Sequence, residues 1–145
     1  MIRILIDTNI ILDVLFDRQP FVEDAVKLWQ LVEAERVIGC LTATTLTNIF
    51  YIARKQLGPE RTREVIADLL AVFEVWPVGK EILSDALSLP FTDYEDAVQE
   101  AVAQQAGADA IITRNLADYT RSTFRVMTAG DIIRELETGV EATDK

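Results

Sequence analysis

Apolar positions along this chain keep two rhythms, short continuous runs and longer stretches with an apolar residue every third or fourth place. Ile2 to Ile6 is short, β-branched and apolar on both faces, the pattern of a buried strand. Asn9 to Phe16 predicts a helix with Thr8 or Asn9 as its cap. Pro20 opens a second helix, in which Val22, Ala25, Val26 and Trp29 follow an i, i+3, i+4, i+7 stripe. Val37 to Leu41 reads as another buried strand. Thr42 to Leu57 reads as a helix with Leu46, Ile49, Phe50, Ala53 and Leu57 on one stripe. Gly58-Pro59 ends that helix and starts one reaching about Phe73. Glu74 to Val78 follows as a short strand, Lys80 to Leu89 as a helix and Pro90 as a break. Tyr94 to Gly107 predicts an alanine-rich helix capped by Thr92 or Asp93. Ala110 to Thr113 is a strand, Phe124 to Met127 a weaker one, and Thr128 to Leu136 the last helix.

Strands alternating with helices imply an α/β sandwich with a mostly parallel sheet. No repeat or linker divides the chain, so one domain over residues 1–137 is expected, followed by an acidic, mobile tail at 138–145. Ligands of such sheets sit beyond the carboxyl ends of the strands, where the strand order reverses. Asp7 follows the first strand, and Asn115 and Asp118 follow the strand at 110–113. If those strands are neighbours, one mouth serves all three residues.

Composition narrows the chemistry. A chain of 145 residues, half of them apolar, is long enough for a sizeable core. No apolar run approaches the roughly 20 residues of a membrane span. The N-terminus lacks the features of a signal peptide, and the cytoplasm is the expected location. The lone cysteine, Cys40, lies in the apolar run 37–41 and is expected to be a buried small hydrophobe rather than a reactive thiol. The chain contains no histidine. That excludes Ser-His-Asp and Cys-His triads, a histidine general base and histidine-rich zinc sites. Hydrolysis must then use carboxylates, lysine, tyrosine or a metal-activated water. The net charge of −10 opposes broad electrostatic capture of nucleic acid, although a bound divalent cation would reverse the field locally.

The candidate groups are carboxylates. Asp7 ends an apolar strand and suits Mg²⁺ or Mn²⁺, which prefer oxygen donors; an aspartate before a helix also serves as a cap. Asp93 and Asp96 lie three apart at a helix start and share a face, while Glu95 is expected to point elsewhere into solvent. Taken alone, such a pair is better explained by capping and the helix dipole. Thr113 and Asn115 are small polar groups able to orient carboxylates, and Asp118 is either a ligand or an Asx turn. Taken together the three clusters resist that reading, because unrelated caps and turns have no reason to fall in this order.

The stretches Ile4-Leu5-Ile6-Asp7-Thr8-Asn9, Asp93-Tyr94-Glu95-Asp96-Ala97 and 108–119, from Ala108 through Thr113-Arg114-Asn115 to Tyr119, resemble the PIN-domain family. The resemblance covers about residues 1–135 and is greatest to small bacterial toxin ribonucleases of VapC type. It implies a three-layer α/β/α fold and RNA cleavage with Mg²⁺ or Mn²⁺. It maps Asp7, Asp96 and Asp118 onto the acidic metal site, Asp93 onto a supporting acid, and Asn9, Thr113 and Asn115 onto polar partners. One position departs from the family: Asn48 stands where a glutamate is usual. Asn48 brings an amide oxygen without charge, which weakens ion binding, and Asp93 is the expected compensation. The pairing of this asparagine with Asp-x-x-Asp suggests a sub-branch of the family. The resemblance further implies a homodimer and a small antitoxin whose arginine enters the acidic site.

Two functions compete. In the first, an ion held by Asp7, Asp96 and Asp118 activates a water for attack on an RNA phosphodiester, with Arg54 and Arg114 as candidate backbone contacts and Arg18 and Lys55 read rather as solvated surface. In the second, Asn48 has emptied the site and left a protein- or RNA-binding module. A haloacid-dehalogenase-like phosphatase shares the strand-then-Asp signature, but it needs an aspartate where Asn9 stands.

Overall fold

The computed structural model describes residues 1–138. The tail expected from residue 138 lies outside them, apart from Thr138, which closes the last helix. The five strands are β1 (Arg3–Ile6), β2 (Ile38–Thr42), β3 (Glu74–Trp76), β4 (Ala110–Ile112) and β5 (Arg125–Met127). They form one sheet in the order β3-β2-β1-β4-β5, and each of its pairings is parallel.

Pleating sends alternate side chains to opposite faces, and both faces are covered. Ile4 and Ile6 of β1, with Ala110 and Ile112 of β4, pack against α1 (Thr8–Leu15), α2 (Val22–Glu33), α3 (Ala43–Leu57), α4 (Pro59–Val72) and α7 (Ala129–Thr138). Leu5, Cys40 and Ile111 point the other way, onto α5 (Lys80–Leu87) and α6 (Tyr94–Ala106). This is the three-layer α/β/α arrangement. It explains why the central strands are apolar throughout: Ile4, Leu5 and Ile111 are fully buried. Each such side chain contributes roughly 1.5–3 kcal/mol of burial.

Helix boundaries follow local chemistry. Gly107, at φ 76°, closes α6 in the left-handed conformation that glycine adopts without strain. Thr128 and Asp131 exchange bonds at the start of α7: the Asp131 amide donates to Thr128 Oγ1 at 3.1 Å and the Thr128 amide to Asp131 Oδ2 at 3.2 Å. The expected elements all form, with edges differing by one or two residues. The α1 cap differs from expectation, because Asp7 takes that role instead of Thr8 or Asn9. A short 3-10 helix at Leu116–Tyr119 was not foreseen.

Candidate metal centre

Strand order reverses between β1 and β4, since the chain runs outward through β2 and β3 and then returns to β1's other side. Beyond the carboxyl ends of this pair lies a cavity of about 490 Å³. Asp7, Asn9, Asn48, Asp93, Asp96, Asn115 and Asp118 all line it, brought together from α1, α3, α6 and the 3-10 helix. Thr113 lies just beneath, fully buried.

Asp7 is the anchor. Its backbone amide continues the sheet by donating to the Ile112 carbonyl at 2.9 Å. Its carboxylate, only 8% exposed, accepts three donors. Oδ1 takes the Thr8 amide at 2.8 Å and Gln99 Nε2 at 3.2 Å, and Oδ2 takes the Thr113 hydroxyl at 2.8 Å. The side chain is therefore a helix cap, as one sequence reading had it, and it also lines the cavity where the other reading would need it. Burial pushes its pKa up, the three hydrogen bonds pull it down, and Asp118 pushes it up again; the balance is upward.

Asp93 caps α6, with Oδ1 accepting the amides of Glu95 at 2.8 Å and Asp96 at 3.3 Å. That cap directs Asp96 into the cavity, where it accepts the Tyr119 hydroxyl at 3.2 Å. Burial first, then the charges of Asp7 and Asp93, raise the Asp96 pKa from 3.8 to about 7. The same burial and acids push the Tyr119 phenol upward, so it remains a donor. Threonines brace the opposite wall: Thr8 Oγ1 donates to Thr45 Oγ1 at 3.2 Å, and Thr42 Oγ1 caps α3 by accepting the Thr45 amide at 3.2 Å.

Two expectations need correction. Glu95 does not point away from the site; it lines the cavity and accepts Asn48 Nδ2 at 3.1 Å. A carboxylate thus reaches Asn48 from the facing helix, because the neutral amide repels no acid and can donate to one. Arg114 does not face the cavity. Its Nε sits 3.0 Å from Asp13 Oδ2 and its guanidinium lies 4.3 Å over the Phe21 ring, which turns it to the far side of α1. Arg18 joins the same pair at 3.6 Å from Asp13 Oδ1. Arg54 is exposed and stacks 4.8 Å over Tyr51, at the cavity rim.

Sequence reasoning missed Gln99, Tyr119 and Asp13. Gln99 lies three residues after Asp96, on the face that already carries Asp93 and Asp96, and that spacing was the available signal. Asp13 interrupts the apolar run of α1, a signal for a buried pair.

Among the described residues, five carboxylates and no lysine or arginine line the cavity. Among the described residues, no three acidic, cysteine or histidine side chains converge into a ready-made ion cage. The donor set nonetheless fits a hard cation. No lysine or arginine among the described residues offsets the lining carboxylates, and Gln99 Oε1 is buried at the cavity wall without a hydrogen-bond partner. A hydrated cation held there would supply both the charge and the missing donor.

The comparisons with known proteins agree with this architecture. The PIN domain matches residues 3–117. Ribonuclease VapC1 of Aquifex aeolicus is 21% identical over 123 residues, covering 81% of this chain and 85% of that protein. A DNA-bound VapBC from Salmonella typhimurium superposes with a TM-score of 0.67 at 21% identity, covering 89% of this chain and 99% of the other. A toxin–antitoxin complex from Klebsiella pneumoniae gives 0.64 at 26% identity, covering 86% and 96%. With its matched residues spanning β1 to the 3-10 helix, the chain belongs to the PIN-domain family.

Proposed function

We propose that the protein is a metal-dependent endoribonuclease that hydrolyses RNA phosphodiester bonds, and that it is the toxin of a toxin–antitoxin pair. The observation that carries the reading is the cavity at the strand reversal, where a buried, triply hydrogen-bonded Asp7 faces Asp96 and Asp118 with no basic residue between them. The ribonuclease name of the Aquifex relative and the toxin–antitoxin complex from Klebsiella support it.

In this reading Asp7, Asp96 and Asp118 hold Mg²⁺ or Mn²⁺. The ion, when bound, lowers the pKa of a coordinated water and offsets charge developing on the phosphodiester. The chain's own groups prepare that event. Thr113 and Gln99 hold the Asp7 carboxylate in one orientation, and Tyr119 does the same for Asp96. Asn48, through its bond to Glu95, gathers a further carboxylate at the position where it carries no charge itself. Asn9 and Asn115 offer neutral donors beside the acids, suited to solvent or substrate.

Purified protein incubated with total cellular RNA and Mn²⁺ tests this directly. Discrete cleavage is expected, and it should vanish in EDTA and in Asp96→Asn. A folded protein that cuts nothing at any Mn²⁺ concentration would replace the nuclease with a PIN-like binding module. The toxin assignment adds a homodimer and a small antitoxin that covers the cavity with an arginine in the acidic site. Co-purification with the product of a neighbouring gene and a measured solution mass test both. A monomer without such a neighbour would remove the toxin label and leave the nuclease intact.

A further inference from the structure

Among the described residues the cavity carries five carboxylates and no basic side chain, so it repels a phosphodiester everywhere except at a bound ion. An RNA chain extends beyond one phosphate, and its flanking nucleotides need holding points outside the acidic wall. Two features sit where these are needed. On the α3 side, Tyr51 lines the cavity and stays 59% exposed, an unusual state for an aromatic residue in a wall. Arg54 and Lys55 lie 4.8 and 5.6 Å over its ring, and neither makes an ion pair with a carboxylate among the described residues. On the other side a second hollow of about 340 Å³ shares Asp93, Asp96 and Asp118 with the cavity. No α3 residue lines it. Its far wall carries Arg121, again without an ion pair among the described residues.

We infer that the acidic cavity is the middle of a longer RNA path, with a nucleobase stacked on Tyr51 at one end and a backbone phosphate held by Arg121 at the other. An exposed aromatic ring covered by a flexible guanidinium and ammonium, neither paired with a carboxylate among the described residues, suits a base and its adjoining phosphate together, the cations turning to the phosphate as the base stacks. The acids between the two ends leave the scissile phosphate as the single point that needs an ion. This inference deepens the ribonuclease reading and rests on it for the identity of the substrate.

The test uses binding, apart from cleavage. A 12-nucleotide RNA labelled with fluorescein is titrated with full-length protein by anisotropy, with Ca²⁺ in place of Mn²⁺ and the probe checked intact afterwards. Tyr51→Ala is expected to weaken binding roughly five- to a hundredfold, the range for removal of a stacked base, while Tyr51→Phe stays near wild type. Arg121→Ala is expected to weaken binding and to flatten the salt dependence by roughly 0.7 in log–log slope, one phosphate on a single strand. Arg36→Ala, beside the start of β2 at the opposite end of the sheet, controls for loss of charge. Tyr51, Arg121 and Arg36 are all exposed, and thermal melts confirm that each variant folds. Unchanged affinity in Tyr51→Ala and Arg121→Ala would overturn the inference, as would a Tyr51→Phe loss equal to that of Tyr51→Ala. A Tyr51→Ala variant that changes solution mass without changing RNA affinity would assign the ring to a second copy of the chain, also overturning it. Wild type that binds the probe but cuts no RNA would contradict the nuclease and leave the path standing. Wild type that cuts RNA with both variants unaffected would do the reverse.

Discussion

Replacing Asp96 by asparagine should stabilise the metal-free protein at alkaline pH and change it much less in mild acid. The Asp96 carboxyl keeps its proton to about pH 7 when folded but releases it near 3.8 when unfolded. Between those values the folded state binds more protons than the unfolded state, so wild-type stability falls as pH rises from about 4 to about 7, then levels. The variant has no such titration, and its amide oxygen still accepts the Tyr119 hydroxyl. Converted in full at 1.36 kcal/mol per unit, the shift corresponds to roughly 4 kcal/mol. Asp96 is only half-buried and one side opens to cavity water, so screening reduces this to roughly 1–2 kcal/mol. Urea unfolding in EDTA at pH 4.5 and pH 8 measures it: the variant's advantage should widen by that amount between the two. Saturating Mn²⁺ should then invert the order, because an ion that needs the ionised carboxylate stabilises wild type by mass action. An advantage that stays constant with pH, or shrinks, would refute the reasoning.

Three further outcomes follow from buried polar groups. Asp13→Ala strands Arg114 and Arg18 beside a carboxylate site only 1% exposed, and should cost about 3 kcal/mol in urea unfolding, near the lower end for a broken buried pair because both arginines still reach water. Glu100→Ala removes the acceptor of the Ser122 hydroxyl at 2.6 Å and of the Thr123 amide and hydroxyl at 2.8 and 2.9 Å. It should lower stability by about 2–4 kcal/mol, seen as a clear drop in Tm by calorimetry. Cys40, whose thiol burial pushes up to about 12, should ignore a disulfide reagent at pH 8 in the folded protein and react with one equivalent after unfolding.

How far the sequence revealed this structure depended on the range of the forces involved. The strand at Ile4-Leu5-Ile6 was legible because burial on both faces demands apolar residues at every position. Helices announced themselves through apolar stripes and through Gly58-Pro59 and Gly107. Chain order alone put Asp7, Asn115 and Asp118 at one mouth on condition that β1 and β4 are neighbours, which they are, while Asp96 joined Asp7 and Asp118 through the resemblance to the PIN-domain family. Side-chain direction was not legible. Glu95 is exposed as expected, but its direction was misjudged from its position on α6 alone: it lines the cavity and accepts the Asn48 amide, 47 residues away on α3. Arg114 looked free because its partner Asp13 lies on α1, about 100 residues earlier, and only the fold brings them together. Gln99 is intermediate: its spacing from Asp96 was visible, but its bond to Asp7 required knowing how α6 crosses the sheet.

The central claim is that the acid-lined cavity is a divalent-cation centre. Crystals grown with MnCl₂ and measured at the manganese absorption edge test it most directly. An anomalous peak bounded by Asp7, Asp96 and Asp118 is expected, with carboxylate oxygens at roughly 2.1 Å, the spacing typical of small hard cations, and with loss of the peak in Asp7→Asn. A well-ordered cavity without a peak at saturating Mn²⁺, or a peak held by other residues, would contradict it.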